Sequence, residues 1–304
     1  MDRNESMMNT ADTKSVPNVS VNWFPGHMAK TRRRIKEDLK LVDAVLELRD
    51  ARIPASSTNP ELGELIGDKP RLVMLNKADL ADEAATAKWL AFYKKHGIAA
   101  FAADARSGKG LQVFRSELKT LLADKIRINA EKGMAGKALR VMVVGIPNTG
   151  KSSFINRMAK SGKAKVEDRA GVTRHNKWYV IEGGIELLDT PGVLWPKFED
   201  PDVGNKLAFT GGIKDQILDI EGLALALLHI LKTDYPDMLK ARYKVPSPET
   251  LGDLELLEAI GRKRGMLVSG GEVDTLRAAT TLFDELRGGK LGRITFELPA
   301  AVQT

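Results

Sequence analysis

Short apolar runs alternate with helix-periodic stretches through the first part of the chain. Ala44-Val-Leu-Glu-Leu48, Arg71-Leu-Val-Met-Leu75, Ile98-Ala-Ala-Phe101 and Leu139-Arg-Val-Met-Val-Val144 read as buried strands, as do Lys177–Ile181 and Ile185–Leu188. Between them, Ile35, Leu39 and Val42 recur at helical spacing, and a short helix is predicted over Glu61–Ile66. Another is predicted over 84–96, and an amphipathic one over 110–123 turns Leu111, Phe114, Leu118 and Leu121 or Leu122 inward. Strands alternating with helices predict an open, mostly parallel α/β sheet. From about Asn205 the pattern becomes helical throughout. Asp219 caps a helix through Leu231, Pro248 opens one through Ile260, and Glu272 to Leu286 forms a third with Gly288 beyond its end. Trp23 to Lys30 reads as an aromatic, turn-rich loop, Lys125 to Lys137 as a basic linker, and residues 1–20 as a disordered polar tail.

Composition narrows the class. A chain of 304 residues has ample length for a real core, in one large domain or two ordinary ones. It contains no cysteine, which removes disulfides and Cys-based zinc sites and fits a reducing compartment. No apolar run is long enough to span a bilayer, and the polar N-terminal segment lacks both a signal core and a transit-peptide bias, so no membrane partner is expected. The net charge of +7 suggests a polyanionic partner such as RNA. Arg32-Arg-Arg34, Lys240, Arg242, Lys244, Arg262-Lys-Arg264, Arg287, Lys290 and Arg293 are candidate contacts, with a solvated charged face as the ordinary alternative.

The chemistry lies in the loops. Gly145-Ile-Pro-Asn-Thr-Gly150-Lys151-Ser152, between a strand and a helix, fits the phosphate-binding loop. Its glycines let backbone N–H groups of Asn148, Thr149, Gly150, Lys151, Ser152 and Ser153 curl round a phosphate chain at a helix N-terminus. Lys151 would reach the outer phosphates and Ser152 would ligate Mg²⁺. At a strand end, Asn76-Lys77-Ala78-Asp79 offers a carboxylate that accepts from both N1–H and the exocyclic amine of guanine, a pattern adenine does not present. Asp104-Ala105-Arg106 stands where a backbone N–H could meet guanine O6, with Asp104 in place of the usual Ser. Downstream, Thr173 of Gly171-Val-Thr173 can approach Mg²⁺, and Asp189-Thr-Pro-Gly192 supplies a metal-associated carboxylate and a γ-phosphate N–H from Gly192.

The order of these elements is unusual, because the base-recognition motifs precede the phosphate loop. The chain resembles circularly permuted GTPases, and among them the YlqF/RbgA family. Trp23-Phe-Pro-Gly-His-Met-Ala-Lys30, Asp50-Ala-Arg-Ile-Pro54, Asn76-Lys-Ala-Asp79, Gly145–Ser152, Asp189-Thr-Pro-Gly192 and Gly289-Lys-Leu-Gly-Arg-Ile294 carry the likeness. The resemblance implies a permuted Ras-like P-loop GTPase on a doubly wound, mostly parallel sheet over residues 21–204, and a small all-helical RNA- or ribosome-binding domain over 205–304. It implies GTP, GDP and Mg²⁺ as ligands. The implied partner is the large ribosomal subunit or its precursor, with its rRNA, for a cytoplasmic protein expected to act as a monomer. Val193 follows Gly192 where a water-positioning Gln would ordinarily stand, so hydrolysis must recruit another group. The resemblance nominates His27, with a packing role as the alternative. Asn148 is open to two readings, a K⁺ ligand or a turn residue. A nucleotide-gated scaffold with incidental hydrolysis and a P-loop ATPase or kinase are the competing function classes.

Overall fold

The computed structural model describes residues 25–160, 166–167, 177–192, 200–213, 215 and 218–299. Seven strands form one sheet in the order β3-β2-β1-β4-β7-β6-β5. They are β1 (Ala44–Asp50), β2 (Arg71–Asn76), β3 (Ala99–Ala102), β4 (Leu139–Val144), β5 (Val166–Glu167), β6 (Lys177–Ile181) and β7 (Ile185–Asp189). The strands from β3 across to β7 are parallel, and β6 and β5 pair antiparallel at the edge. The chain winds outward through β1, β2 and β3, then crosses back to lay β4 on the other side of β1. That reversal between β1 and β4 opens a crevice at the carboxyl ends of the strands, where open α/β sheets bind ligands.

Helices α1 (Pro25–Leu39), α2 (Pro60–Ile66), α3 (Glu83–Lys95), α4 (Val113–Leu121), α5 (Ala123–Glu131) and α6 (Lys151–Lys160) accompany the sheet. One face of the sheet packs Leu46, Leu48 and Val143 against Phe114 of α4 and Phe154 of α6. Those two rings meet edge to face at 5.3 Å. The opposite face packs Val45, Met142 and Leu188 against Ile35 and Leu39 of α1 and Leu62 of α2. Each such fully buried side chain contributes ~1.5–3 kcal/mol through area removed from water. The sheet is therefore covered on both sides, and only its strand ends are left for chemistry.

Two segments differ from the sequence-based expectation. The loop expected over Trp23–Lys30 is helical from Pro25, because proline's fixed φ and missing N–H suit the first helical position. The linker expected over 125–137 begins as helix α5, which buries only Asn129 and so carries no apolar stripe by which to read it.

Helices α7 (Pro201–Phe209), α8 (Ile220–Asp234), α9 (Pro236–Tyr243), α10 (Asp253–Lys263) and α11 (Thr275–Arg287) build the remaining part around Leu227, Leu231, Leu257, Ile260, Leu282 and Leu286. The junction expected at 204/205 lies inside α7, which Asp200 caps by accepting from the N–H of Asp202. Asp219 caps α8 as expected. Helix α11 starts at Thr275 rather than Glu272, since Asp274 accepts from Arg277 N–H while Val273 bridges to Leu267. Among the described residues, no helix is long and apolar enough to cross a membrane.

Candidate functional site

A cavity of about 490 Å³ opens at the carboxyl ends of β2 and β4. One end is lined by Asn76, Lys77, Asp79, Asp104 and Ala105, the other by Asn148, Gly150, Lys151, Ser152 and Ser153. The motifs that flank β2 and β4 in sequence thus face each other across one space.

A single amide joins the two ends. Asn76, buried at the last position of β2, donates through Nδ2 to the carbonyl of Thr149 at 2.6 Å. Its Oδ1 accepts from the N–H of Ala105 at 2.9 Å. Glycine at 150 makes this approach possible: φ is +94°, and a Cβ there would lie 2.2 Å from Asn76 Nδ2. Thr149 is itself buried and donates from Oγ1 to Ile146 O at 2.9 Å. Its role is to shape the loop from inside.

The next residue, Lys77, takes a left-handed φ of +60°, and its Nζ lies 2.9 Å from Asp50 Oδ2 at the end of β1. Asp50 also holds the Arg52 guanidinium through two hydrogen bonds, of 2.9 and 2.7 Å. Burial raises the pKa of Asp50, yet Arg52 and then Lys77 outweigh it and hold the carboxyl well below the usual carboxylate range. In the unfolded chain that group titrates near pH ~3.9, so between the two values the unfolded state binds more protons and stability falls as pH falls. Urea midpoints are expected to hold above roughly pH 5 and to fall progressively below it, with the fall continuing beneath roughly pH 3. Asp50→Asn is expected to flatten that dependence while lowering stability at neutral pH. An unchanged acid profile in the variant contradicts the assignment.

Asp104 shapes the second base loop. It accepts from the N–H groups of Arg106 at 2.8 Å and Ser107 at 2.9 Å, and although burial opposes it, these bonds lower its pKa. In the same loop the Ala105 N–H donates to Asn76 Oδ1. The Asp104 carboxylate thus turns the backbone of this loop.

At the phosphate end, Lys151 starts α6 and its Nζ donates to the carbonyls of Gly145 at 2.8 Å and Ile146 at 3.0 Å. Burial pushes its pKa down to about 8, with Asp189 acting in the opposite sense. Asp189 ends β7 beside Val143 of β4, and burial raises its carboxyl against the pull of Lys151 and Lys177. A half-buried carboxylate of this kind gains from a nearby cation. Gly192 lies so close to the phosphate loop that a Cβ would come within 2.8 Å of Lys151 Nζ and 3.0 Å of Pro147 N. Asp189 and Gly192 therefore converge on Lys151. Thr173 lies outside the described residues. His27 falls in the first turn of α1.

The third wall was not foreseen. Thr210, Arg287 and Gly288, from the helical part, line the same cavity. Asn148, at φ +61°, donates through Nδ2 to Gly211 O at 2.7 Å. Arg52, almost fully buried, donates to Thr210 O at 3.2 Å. Arg287 bonds the carbonyls of Phe209 and Ala208 and both oxygens of Asp215. Several basic residues read as rRNA contacts are thus engaged internally; Arg242 and Arg264 likewise both bond Glu285.

Comparison with known proteins agrees with this geometry. The profile of a family described as "50S ribosome-binding GTPase" matches residues 140–260. Ribosome biogenesis GTPase A of Priestia megaterium is 49% identical over 287 residues, spanning 94% of this chain and 99% of the relative. The protein of the same name from Bacillus cereus is 48% identical over 280 residues, spanning 92% and 94%. Among solved structures, GNP-bound YlqF from T. maritima superimposes with a TM-score of 0.62 at 29% identity, covering 90% of this chain and all of that one. A GDP-bound YlqF structure gives 0.61 at 31% identity, covering 88% of this chain.

Proposed function

From the premise that this chain belongs to the ribosome biogenesis GTPase A family, and is a GTPase of ribosome assembly, we propose that it acts on a precursor of the large ribosomal subunit, in the cytoplasm and as a monomer. It binds GTP with guanine at Asp79 and the phosphates along Asn148 to Ser153, and hydrolysis to GDP and phosphate is its release signal. The observation that carries this reading is the Asn76 amide, which ties the base-recognition loop at Ala105 to the phosphate loop at Thr149.

In this reading Lys151 leaves the carbonyls of Gly145 and Ile146 to meet the outer phosphates, and Gly192 N–H meets the γ-phosphate. The hydroxyl of Ser152, next in the chain to Lys151, and the carboxylate of Asp189, whose ionised form burial disfavours, would hold Mg²⁺, with Thr173 as a further oxygen ligand. That ion, when bound, supplies charge neutralisation on the transferring phosphoryl group. A K⁺ at Asn148 would be held through the amide oxygen, because the amide nitrogen donates to Gly211. His27 positions the attacking water. Its helix supports this role: Ile35, two turns further on, shares a small cavity with Gly145, Thr190 and Pro191 at the phosphate end.

The test is GTP hydrolysis in KCl buffer, alone, with large ribosomal subunits and with small subunits. Selective acceleration by large subunits of at least about tenfold, ~1.4 kcal/mol of barrier, is expected. Equal rates under all three conditions contradict the partner assignment.

A further inference from the structure

The loop that carries Asp79 is held by the far end of the chain. After α11 the backbone turns at Gly289, where φ is +72° and a Cβ would lie 2.6 Å from Leu80 Cδ2. Arg293 then donates from Nη2 to Ala78 O at 2.9 Å, inside the base-recognition motif, across 215 positions of sequence. Its Nε donates to Ala81 O at 2.7 Å and its Nη1 to Glu83 at 3.0 Å. The N–H of Ile294 donates to Leu80 O at 2.9 Å, and Asp82 N–H donates to Thr295 Oγ1 at 3.0 Å. Residues 78, 80, 81 and 82, on both sides of Asp79, are thus bonded to residues 293–295.

The segment is itself anchored on the turn after β1 and on α3. Phe296 N–H donates to Arg52 O at 2.8 Å, and Trp89 Nε1 donates to Glu297 O at 2.9 Å. The Glu297 carboxylate accepts from Ala55 N–H at 2.7 Å and lies 3.6 Å from Lys206 Nζ. Asp79 stands in a loop fixed between its own strand and this strap, with its charge next to buried Arg52.

We propose that Arg293 is a positioning residue for base recognition, so that guanine selectivity is set jointly by Asp79 and the C-terminal segment that clamps its loop. This rests on the reading of the cavity as a guanine site. A carboxylate that accepts two bonds from guanine must be aimed in two directions at once. A loosened loop still permits one bond, so the second, to the exocyclic amine, is lost first. Hypoxanthine lacks that amine, so the ratio of IDP to GDP dissociation constants reports the aim of Asp79 directly.

The experiment titrates GDP, IDP and pyrophosphate into the full chain and into Arg293→Met, which keeps the packed stem and removes the donors. The IDP-to-GDP ratio is expected to fall about tenfold in the variant while pyrophosphate affinity is unchanged. Arg293→Lys, a point donor in place of a fork, is expected to give an intermediate ratio and carries the same test should the Met variant not fold. A folded variant in which GDP and IDP weaken by the same factor, or do not weaken, overturns the proposal. A wild-type protein that binds IDP as tightly as GDP contradicts the guanine site itself, and the inference falls with it.

Discussion

Asn76→Ala is expected to cost about 2–5 kcal/mol of folding stability, because it leaves the buried Thr149 carbonyl and Ala105 N–H without partners. The larger consequence is functional. The amide holds the phosphate loop and the second base loop in one frame, so GDP binding must order both loops in the variant. A fall in GDP affinity of about 100-fold, ~2.7 kcal/mol, is expected by titration calorimetry. Asn76→Asp distinguishes a bond from mere volume. It keeps the acceptor for Ala105 N–H but turns an oxygen toward the Thr149 carbonyl, so it is expected to be no better than Ala. GDP affinity within twofold of wild type, roughly, in either variant removes Asn76 from the centre of the site.

What the sequence made legible was local. The phosphate loop, Asn76–Asp79 and Asp189–Gly192 each follow a strand, and each motif carries its own geometry within a few residues. The central strands were readable because burial on both faces makes them continuous apolar runs. Helix α8 was readable from its cap, Asp219, and the apolar helical stretch to Leu231. Charge inside β1 was less transparent. Glu47 and Arg49 are buried there because each pairs with the other and Arg49 also bonds Tyr93.

Closure of the site was not legible, because it depends on pairs far apart in sequence. Arg287 and Arg293 look like members of a basic surface until their acceptors, carbonyls at 208, 209, 78 and 81, are known. A backbone carbonyl has no sequence signature. Arg52 is similar: it stands in the Asp50–Pro54 motif, but nothing local says that it reaches Thr210. Helix α5 escaped for a different reason, since a helix that buries one Asn presents no periodicity. The permuted order did announce itself, and the sheet explains why it is tolerated. The carboxyl ends of β2 and β4 are brought together with only β1 between them, whichever strand the chain visits first.

The central claim is that Asp79 reads guanine at the end of β2, and nucleotide selectivity of Asp79→Asn tests it most directly. Asp79 lines the cavity on an exposed turn, so its replacement by an isosteric amide should leave the fold intact. The carboxylate accepts from N1–H and the exocyclic amine; an amide presents one acceptor and one donor. Xanthine carries a carbonyl where guanine carries the amine, so the donor that repels guanine suits xanthine. Competition between GDP, XDP and ADP should therefore show wild type preferring GDP to ADP by on the order of 10⁴-fold. The variant should lose most of its GDP affinity and prefer XDP. Undiminished GDP binding by a folded Asp79→Asn protein, or comparable ADP and GDP binding by wild type, would contradict the account.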